Sequence, residues 1–162
     1  MARRLVFLVL ATFLVFCVEF ILFNLFGQWF HPNLLLLLII FAHSYYGVRY
    51  GICVALMAGL LKDSFSLDPF GIYILSFLIC IYGISLIKKY FYELEAVISK
   101  IVTAFSISVL YIFTLYAFIS FFSSVDFRGS LALNMIPEVV VTTLVSIFVF
   151  KKFKLCALRL SV

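Results

Sequence analysis

The number of membrane spans in this chain depends on residues 34–61, which read LLLLLIIFAHSYYGVRYGICVALMAGLL. Two short apolar runs, residues 34–46 and 51–61, lie on either side of Arg49. At 1.5 Å per residue, the second run covers only about 17 Å of a bilayer core that is about 30 Å thick. Extending it to residues 47–63 gives about 25 Å, which is enough for a helix in a thinned or protein-shielded position. The segment therefore predicts either two short spans or one longer span around a buried arginine.

The basic residues discriminate between these two arrangements. With six spans and a cytoplasmic N-terminus, ten of the 12 Lys and Arg residues fall on the cytoplasmic side, and only Lys62 and Arg128 fall outside. If residues 34–56 form one span, Arg49 is buried at a cost of about 2.5–3.5 kcal/mol. The better orientation then leaves seven basic residues inside against four outside. The sequence therefore predicts six spans with the N- and C-termini both cytoplasmic.

The composition indicates a polytopic membrane protein. Of the 162 residues, 67% are hydrophobic and 12% are charged, whereas a soluble domain is about 45–50% apolar and about 25% charged. Six spans of about 20 residues leave only loops and short tails, which excludes a soluble catalytic, nucleotide-binding or DNA-binding domain. The formal charge of +5 is interpreted as a consequence of basic residues that set the membrane topology and contact lipid. We predict an all-α integral membrane protein, a bundle of six transmembrane helices in a single domain over residues 1–162, with spans at about residues 5–26, 34–46, 47–62, 71–87, 101–122 and 131–150.

The first and last spans each carry one further expectation. Residues 5–26 are predicted to be an uncleaved span, because 22 apolar residues exceed a signal-peptide core of about 7–15 and no small-residue cleavage site follows. In the last span, Pro137 either begins the helix or kinks it, and both alternatives stay open.

Residue types that commonly carry chemistry are sparse. The four cysteines form no CxxC pair and are interpreted as small buried hydrophobes. His31 and His43 have no third ligand at metal spacing. The sequence contains no Walker loop and no Ser-His-Asp order. We therefore expect no metal, no cofactor and no enzymatic activity.

Small residues recur at four-residue spacing around the third span, at Gly47, Gly51, Ala55 and Gly59. Such a ridge lets another helix backbone approach closely. The ridge predicts close packing, either against this chain's own helices or against a helix of a partner.

Three carboxylates are predicted to lie in the outer part of the bundle. Glu19 lies about 21 Å along the first span from Leu5, while Asp63 falls near the outer face and Glu138 in the outer half of the last span. Ionisable groups inside a membrane are costly and indicate a polar cavity or ion pairs. The two hypotheses are an outward polar pocket and structural pairing with Lys62 or Arg128.

Residues 32–71 resemble a known family. The segment opens with Pro32-Asn33-Leu34, carries spaced glycines, and reaches Gly59-Leu60-Leu61-Lys62-Asp63 before Gly71 opens the next span. A Pro-Asp/Asn-Leu start, a Gly-Leu-x-x-Asp end and a following glycine are similar to the MreD family of bacterial rod shape-determining membrane proteins. The resemblance marks Pro32, Asn33, Asp63 and Gly71 as family-motif positions.

The resemblance implies a non-catalytic scaffold in the bacterial cytoplasmic (inner) membrane. MreD proteins accompany MreC, a bitopic protein, in the elongation complex, which links MreB filaments to a RodA-type peptidoglycan polymerase and a class B penicillin-binding transpeptidase. The resemblance thus implies these partners and a role in maintaining cell shape. No nucleic acid is expected, and anionic lipid or a cytoplasmic partner is expected to contact the basic C-terminal residues Lys151, Lys152, Lys154 and Arg159.

A transporter subunit is the alternative. MreD-like chains also resemble the S components of energy-coupling-factor vitamin transporters, which are six-span bundles with an outward-facing pocket. In that alternative, Glu19, Asp63 and Glu138 would bind a basic or hydroxylated ligand. S components typically carry an Ala-x-x-x-Ala pair in the first span, whereas this chain has Ala11 followed by Val15. The scaffold is therefore the prediction and the transporter subunit the alternative.

Overall fold

The structure, a computed structural model, describes residues 2–27, 32–90, 97–122 and 137–148. Within these ranges the chain forms six helices: α1 Ala2–Phe26, α2 Leu34–Tyr46, α3 Val48–Phe65, α4 Ile72–Tyr90, α5 Val97–Phe122 and α6 Pro137–Phe148. The predicted all-helical architecture is confirmed for this part of the chain.

Among the described helices, α1, α4 and α5 are long and apolar enough to cross a bilayer by length and composition. The apolar helices α2 and α6 are shorter, and α2 has only 13 residues. Helix α3 has 18 residues but contains Arg49, Lys62 and Asp63. The count of six spans and the cytoplasmic placement of both termini therefore stay predictions.

Gly47 separates α2 from α3, so that residues 34–56 do not form one long helix. Its φ of 96° lies in the left-handed region, which a residue with a Cβ enters only with strain. Its N–H donates to the carbonyl of His43 at 3.2 Å and so closes α2. The chain then turns back, and α3 packs against α2. Gly47 was predicted as part of the third span and of its small-residue ridge, but it precedes α3.

Helix α2 lies at the centre of the bundle. Nine consecutive residues, 35–43, are buried, and α2 contacts α1, α3, α4 and α5. A helix that is apolar on all sides is typical of such a core position. Pro32 and Asn33, which precede α2, are buried as well. The helix therefore begins inside the protein.

Helix α1 lies at the periphery. Only 17% of its apolar segment is buried, and large apolar side chains such as Leu10, Leu14 and Ile21 are more than half exposed. In a membrane this face contacts lipid or another helix.

The prediction for the last span lies partly outside the described residues. The structure shows helix over Pro137–Phe148, whereas residues 131–136 and 149–150 of the predicted span are not among those described. Whether Pro137 begins or kinks the helix depends on residues 131–136. The basic C-terminal residues also lie outside the described ranges.

Candidate functional site

Asn33 joins the buried start of α2 to α6. Its side-chain Oδ1 accepts the N–H of Leu36 at 3.1 Å and so caps α2. Its backbone N–H donates to Thr142 Oγ1 at 3.0 Å, and its Nδ2 donates to Glu138 Oε1 at 3.3 Å. The Asn33 side chain therefore provides both a helix cap and a contact between two helices.

The first two N–H groups of α2, those of Leu34 and Leu35, are also paired. The N–H of Leu35 donates to Glu19 Oε2 at 3.0 Å, and the N–H of Leu34 donates to the carbonyl of Pro32 at 2.9 Å. A helix start leaves its first N–H groups without partners in the helix, and each unpaired group costs several kcal/mol in a bilayer core. Glu19 and Asn33 thus allow α2 to begin within the bundle.

Glu19 also forms an ion pair with Lys62, which joins α1 to α3. Lys62 Nζ lies 2.7 Å from Glu19 Oε1. The same ammonium lies 5.8 Å from the ring centroids of Tyr73 and Tyr111 and 5.9 Å from that of Phe77. Aromatic faces at this range attract a cation. The charge of Lys62 is therefore compensated by one carboxylate and three rings.

Asp63 lies in the last turn of α3 and caps α4. Its Oδ1 accepts the N–H of Tyr73 at 3.1 Å, and its Oδ2 accepts the N–H of Ile74 at 3.3 Å. A carboxylate at this position also meets the positive end of the helix dipole. Asp63 therefore fixes the start of α4 relative to the end of α3.

Of the three carboxylates of the predicted outward pocket, one lines the cavity described between α1 and α3, and the shared pocket stays a prediction. Glu19 lines an open cavity of about 260 Å³ between α1 and α3, the α1/α3 groove, whereas Asp63 and Glu138 do not line it. Its lining consists of Phe16, Glu19, Phe20, Phe23, Lys62, Phe65, Ser66 and Tyr73. Sites for small molecules usually have about 300–1,000 Å³. The groove is therefore small for a vitamin-sized ligand.

The small residues of α3 contact the chain's own helices. A Cβ on Gly51 would lie 3.0 Å from His43 Cβ in α2, and one on Gly59 would lie 2.6 Å from Ile74 Cα in α4. Ala55 is fully buried. These contacts favour packing within the chain, one of the two alternatives for this ridge. The interface with a partner stays a prediction.

Sequence reasoning missed Thr142 and the rings around Lys62. Thr142 follows Glu138 by four residues, and this spacing places the two on one face of α6. Tyr73 and Phe77 have the same spacing on α4. Tyr111 lies on another helix, and no spacing in the sequence relates it to Lys62.

Comparison with known families assigns the chain. A family model described as rod shape-determining protein MreD matches residues 1–156, nearly the whole chain. The chain belongs to the MreD family. No curated protein and no solved structure matches it. The family consists of membrane proteins with a role in rod shape determination, which agrees with the three long apolar helices.

The motif positions of the MreD resemblance lie at helix boundaries in this structure. Pro32 and Asn33 precede α2, and Asp63 caps α4. Gly71 directly precedes α4, with a φ of 101° that disfavours a residue with a Cβ. Its carbonyl accepts the N–H of Leu75 at 3.0 Å. These positions therefore determine where two helices begin.

The described residues provide packing and helix capping. Within the four described ranges, no group of three or more His, Cys, Asp or Glu side chains is placed to hold a metal ion. The carboxylates of Glu19 and Asp63 each accept a backbone N–H at the start of a helix. This arrangement stabilises the starts of α2 and α4 within the bundle.

Proposed function

We propose that this chain is a non-catalytic scaffold of the rod complex, a multi-pass protein of the bacterial cytoplasmic membrane that binds an MreC-like bitopic partner. Through this partner it helps to couple MreB filaments to peptidoglycan synthesis by a RodA-type polymerase and a class B penicillin-binding transpeptidase. The proposal rests on the MreD-family match over residues 1–156. The proposed bundle has six spans with both termini cytoplasmic and resembles an S component.

The peripheral helix α1 is the surface proposed for a partner's transmembrane helix. Leu10, Leu14 and Ile21 lie on one side of α1 and are 58%, 64% and 54% exposed. In lipid, two apolar helices associate by packing and hydrogen bonding, since lipid is as apolar as the helix surface. A long, lightly buried apolar helix at the edge of the bundle supports this role, because it offers contact area without disturbing the core.

Recovery of the tagged protein from its own host's membranes in mild detergent, followed by mass spectrometry, tests the proposal. We expect an MreC-like protein and wall-synthesis enzymes to be recovered. A variant with Leu10→Ala, Leu14→Ala and Ile21→Ala is expected to lose them. A matched variant on α5 with Phe105→Ala and Val109→Ala, two residues that are also about half exposed, is expected to keep them.

Two outcomes contradict the proposal in different ways. If the α1 variant keeps its partners, the interface is not on α1. If the wild-type protein is recovered with two ATPases and a membrane coupling subunit instead, the scaffold is wrong and a transporter subunit is supported.

A further inference from the structure

The α1/α3 groove opens on the lipid-facing side of the bundle. Its α1 wall contains Phe16, Glu19, Phe20 and Phe23, which recur on one helix face, and Phe65 lies on its other side. Phe20 is 51% exposed and Phe65 is 68% exposed. The Phe65 ring contacts the rings of Phe16 and Phe20, with centroids 5.2 and 6.3 Å apart, so the groove opens beside an exposed aromatic cluster.

The floor of the groove is polar, and one of its groups has unused hydrogen-bonding capacity. Lys62 pairs with Glu19, and its side chain is 13% exposed. An ammonium has three N–H donors. In the described part of the chain, Lys62 pairs with Glu19 and lies near three ring faces, and it also interacts electrostatically with Glu138. Lys62 can therefore donate further to an acceptor in the groove.

The charge around the groove favours a ligand that also carries a positive group. At its edge, Ser66 Oγ and the Tyr73 hydroxyl donate to Asp68 Oδ2 at 2.8 and 3.0 Å. Together with the nearby Glu138, Glu19 and Asp68 thus oppose the single ammonium of Lys62. This excess of negative charge would repel a purely anionic ligand. A zwitterion has a phosphate that can pair with the ammonium of Lys62 and an ammonium that can pair with the carboxylates.

In the proposed topology, on which this step rests, the charges on α3 set the depth of the lipid headgroups. Arg49 and Lys62 are separated by about 20 Å along α3 at 1.5 Å per residue, whereas a bilayer core is about 30 Å thick. If α3 spans the membrane as proposed, keeping both charges at the interfaces requires the bilayer beside α3 to thin. The headgroups there then lie at the depth of Lys62.

We infer that the α1/α3 groove binds the phosphoethanolamine headgroup of one phospholipid, with its phosphate on Lys62 and its ammonium towards Glu19 and Asp68. The cavity of about 260 Å³ holds the headgroup, and the acyl chains lie outside it along α1, from Phe20 towards the bilayer centre. This site lies on the opposite side of α1 from the proposed partner face, so it goes beyond the proposed function and is tested separately.

Native mass spectrometry of the full-length protein, released from detergent and titrated with single phospholipids, tests the inference. The probes are phosphatidylethanolamine, phosphatidylcholine and phosphatidylglycerol with identical acyl chains. We expect one phosphatidylethanolamine per protein, bound about tenfold more tightly than phosphatidylglycerol, which has the phosphate but no ammonium. Phosphatidylcholine is expected between the two, because its quaternary ammonium donates no N–H bond.

Variants locate the bound lipid. Phe20→Ala removes a wall of the groove, and Lys62→Gln removes the charge while its amide still donates to Glu19. Both are expected to weaken binding of phosphatidylethanolamine at least about fivefold. The control is Phe113→Ala, at an α5 phenylalanine that is 60% exposed and does not line the groove. If Lys62→Gln does not fold, Phe20→Ala and the comparison of the three headgroups still decide whether the lipid binds in the α1/α3 groove.

Three results would overturn the inference. The first is that the wild-type protein binds phosphatidylglycerol as tightly as phosphatidylethanolamine, or more tightly. The second is the same affinity for phosphatidylethanolamine in Phe20→Ala and Phe113→Ala. The third is capture of a partner's helix, rather than lipid, by a photo-crosslinker placed at position 20 in membranes that contain phosphatidylethanolamine.

Discussion

At the scale of single residues, Asn33 is the side chain on which the start of α2 depends. Replacing it with alanine removes the cap on Leu36 N–H and the contact with Glu138. Loss of a cap costs about 0.5–2 kcal/mol, and a buried unpaired donor costs about 1–3 kcal/mol. We therefore expect Asn33→Ala to lower the thermal unfolding temperature clearly in detergent. The control Asn24→Ala, at an exposed asparagine bonded to the carbonyl of Phe20, should have little effect, and equal losses would contradict this role.

The pair of Asn33 and Glu138 gives a second residue-scale prediction. Aspartate is also compatible with the family motif and would still accept the N–H of Leu36. In this chain, however, Asn33→Asp would place two carboxylates together where Nδ2 now donates to Glu138 at 3.3 Å. We expect Asn33→Asp to destabilise the protein and Asn33→Asp/Glu138→Gln to recover most of the loss, since the glutamine amide donates. Thermal unfolding of the two variants measures this. A double variant that unfolds at the same temperature as Asn33→Asp alone would show that the two side chains are not coupled.

Gly59 and Gly83 distinguish a backbone contact from a side-chain contact. A Cβ on Gly59 would lie 2.6 Å from the backbone of Ile74, whereas one on Gly83 would meet the flexible Leu110 Cδ2 at 2.7 Å. Overpacking costs about 1–3 kcal/mol, but alanine also gains up to about 1 kcal/mol over glycine within a helix. We expect Gly59→Ala to destabilise the bundle and Gly83→Ala to be nearly neutral. Equal unfolding temperatures for the two variants would refute the close approach of α3 and α4.

At the scale of elements, the ion pair between Glu19 and Lys62 joins α1 to α3. Breaking one partner of a buried pair costs about 3–5 kcal/mol, because the other charge stays buried alone. We expect Glu19→Gln and Lys62→Met each to destabilise strongly and the double variant to lose less than the sum. A double-mutant cycle of unfolding free energies measures this coupling. Lys89→Met, at an exposed lysine, serves as the control, and additive losses would contradict a direct pair.

The helices themselves were largely predictable, but their mutual orientation was not. Hydropathy predicted 34–46 and 71–87, and the structure has α2 over Leu34–Tyr46 and α4 over Ile72–Tyr90. The bond between Asn33 and Thr142 joins positions 109 residues apart. No hydrophobic pattern predicts such a contact, because the buried and lipid-facing sides of a membrane helix are both apolar. The contacts of Asp63 are local instead. Its hydrogen bonds to α4 cross only the short turn between α3 and α4, so a local sequence pattern can predict them.

At the scale of the whole molecule, the described charges other than the paired Lys62 are divided between the two ends of the bundle. Glu19, Asp63 and Asp68 lie near the end at which α2 and α4 begin. Arg49 begins α3 at the other end, and Lys88, near the end of α4, donates to the carbonyl of Ser44 at 3.1 Å. Because positive charge is enriched on the cytoplasmic side, this division favours the proposed orientation.

The position of the two termini tests that orientation and the span count together. An even number of spans places both termini on one side of the membrane, and an odd number places them on opposite sides. The hairpin of α2 and α3 at Gly47 supports two short spans in place of one, so we expect both termini to be cytoplasmic. Fusions of a fluorescent protein that folds only in the cytoplasm, and of a phosphatase that is active only outside, measure this at each end. Termini on opposite sides would show that one of the short helices, α2, α3 or α6, does not cross the membrane.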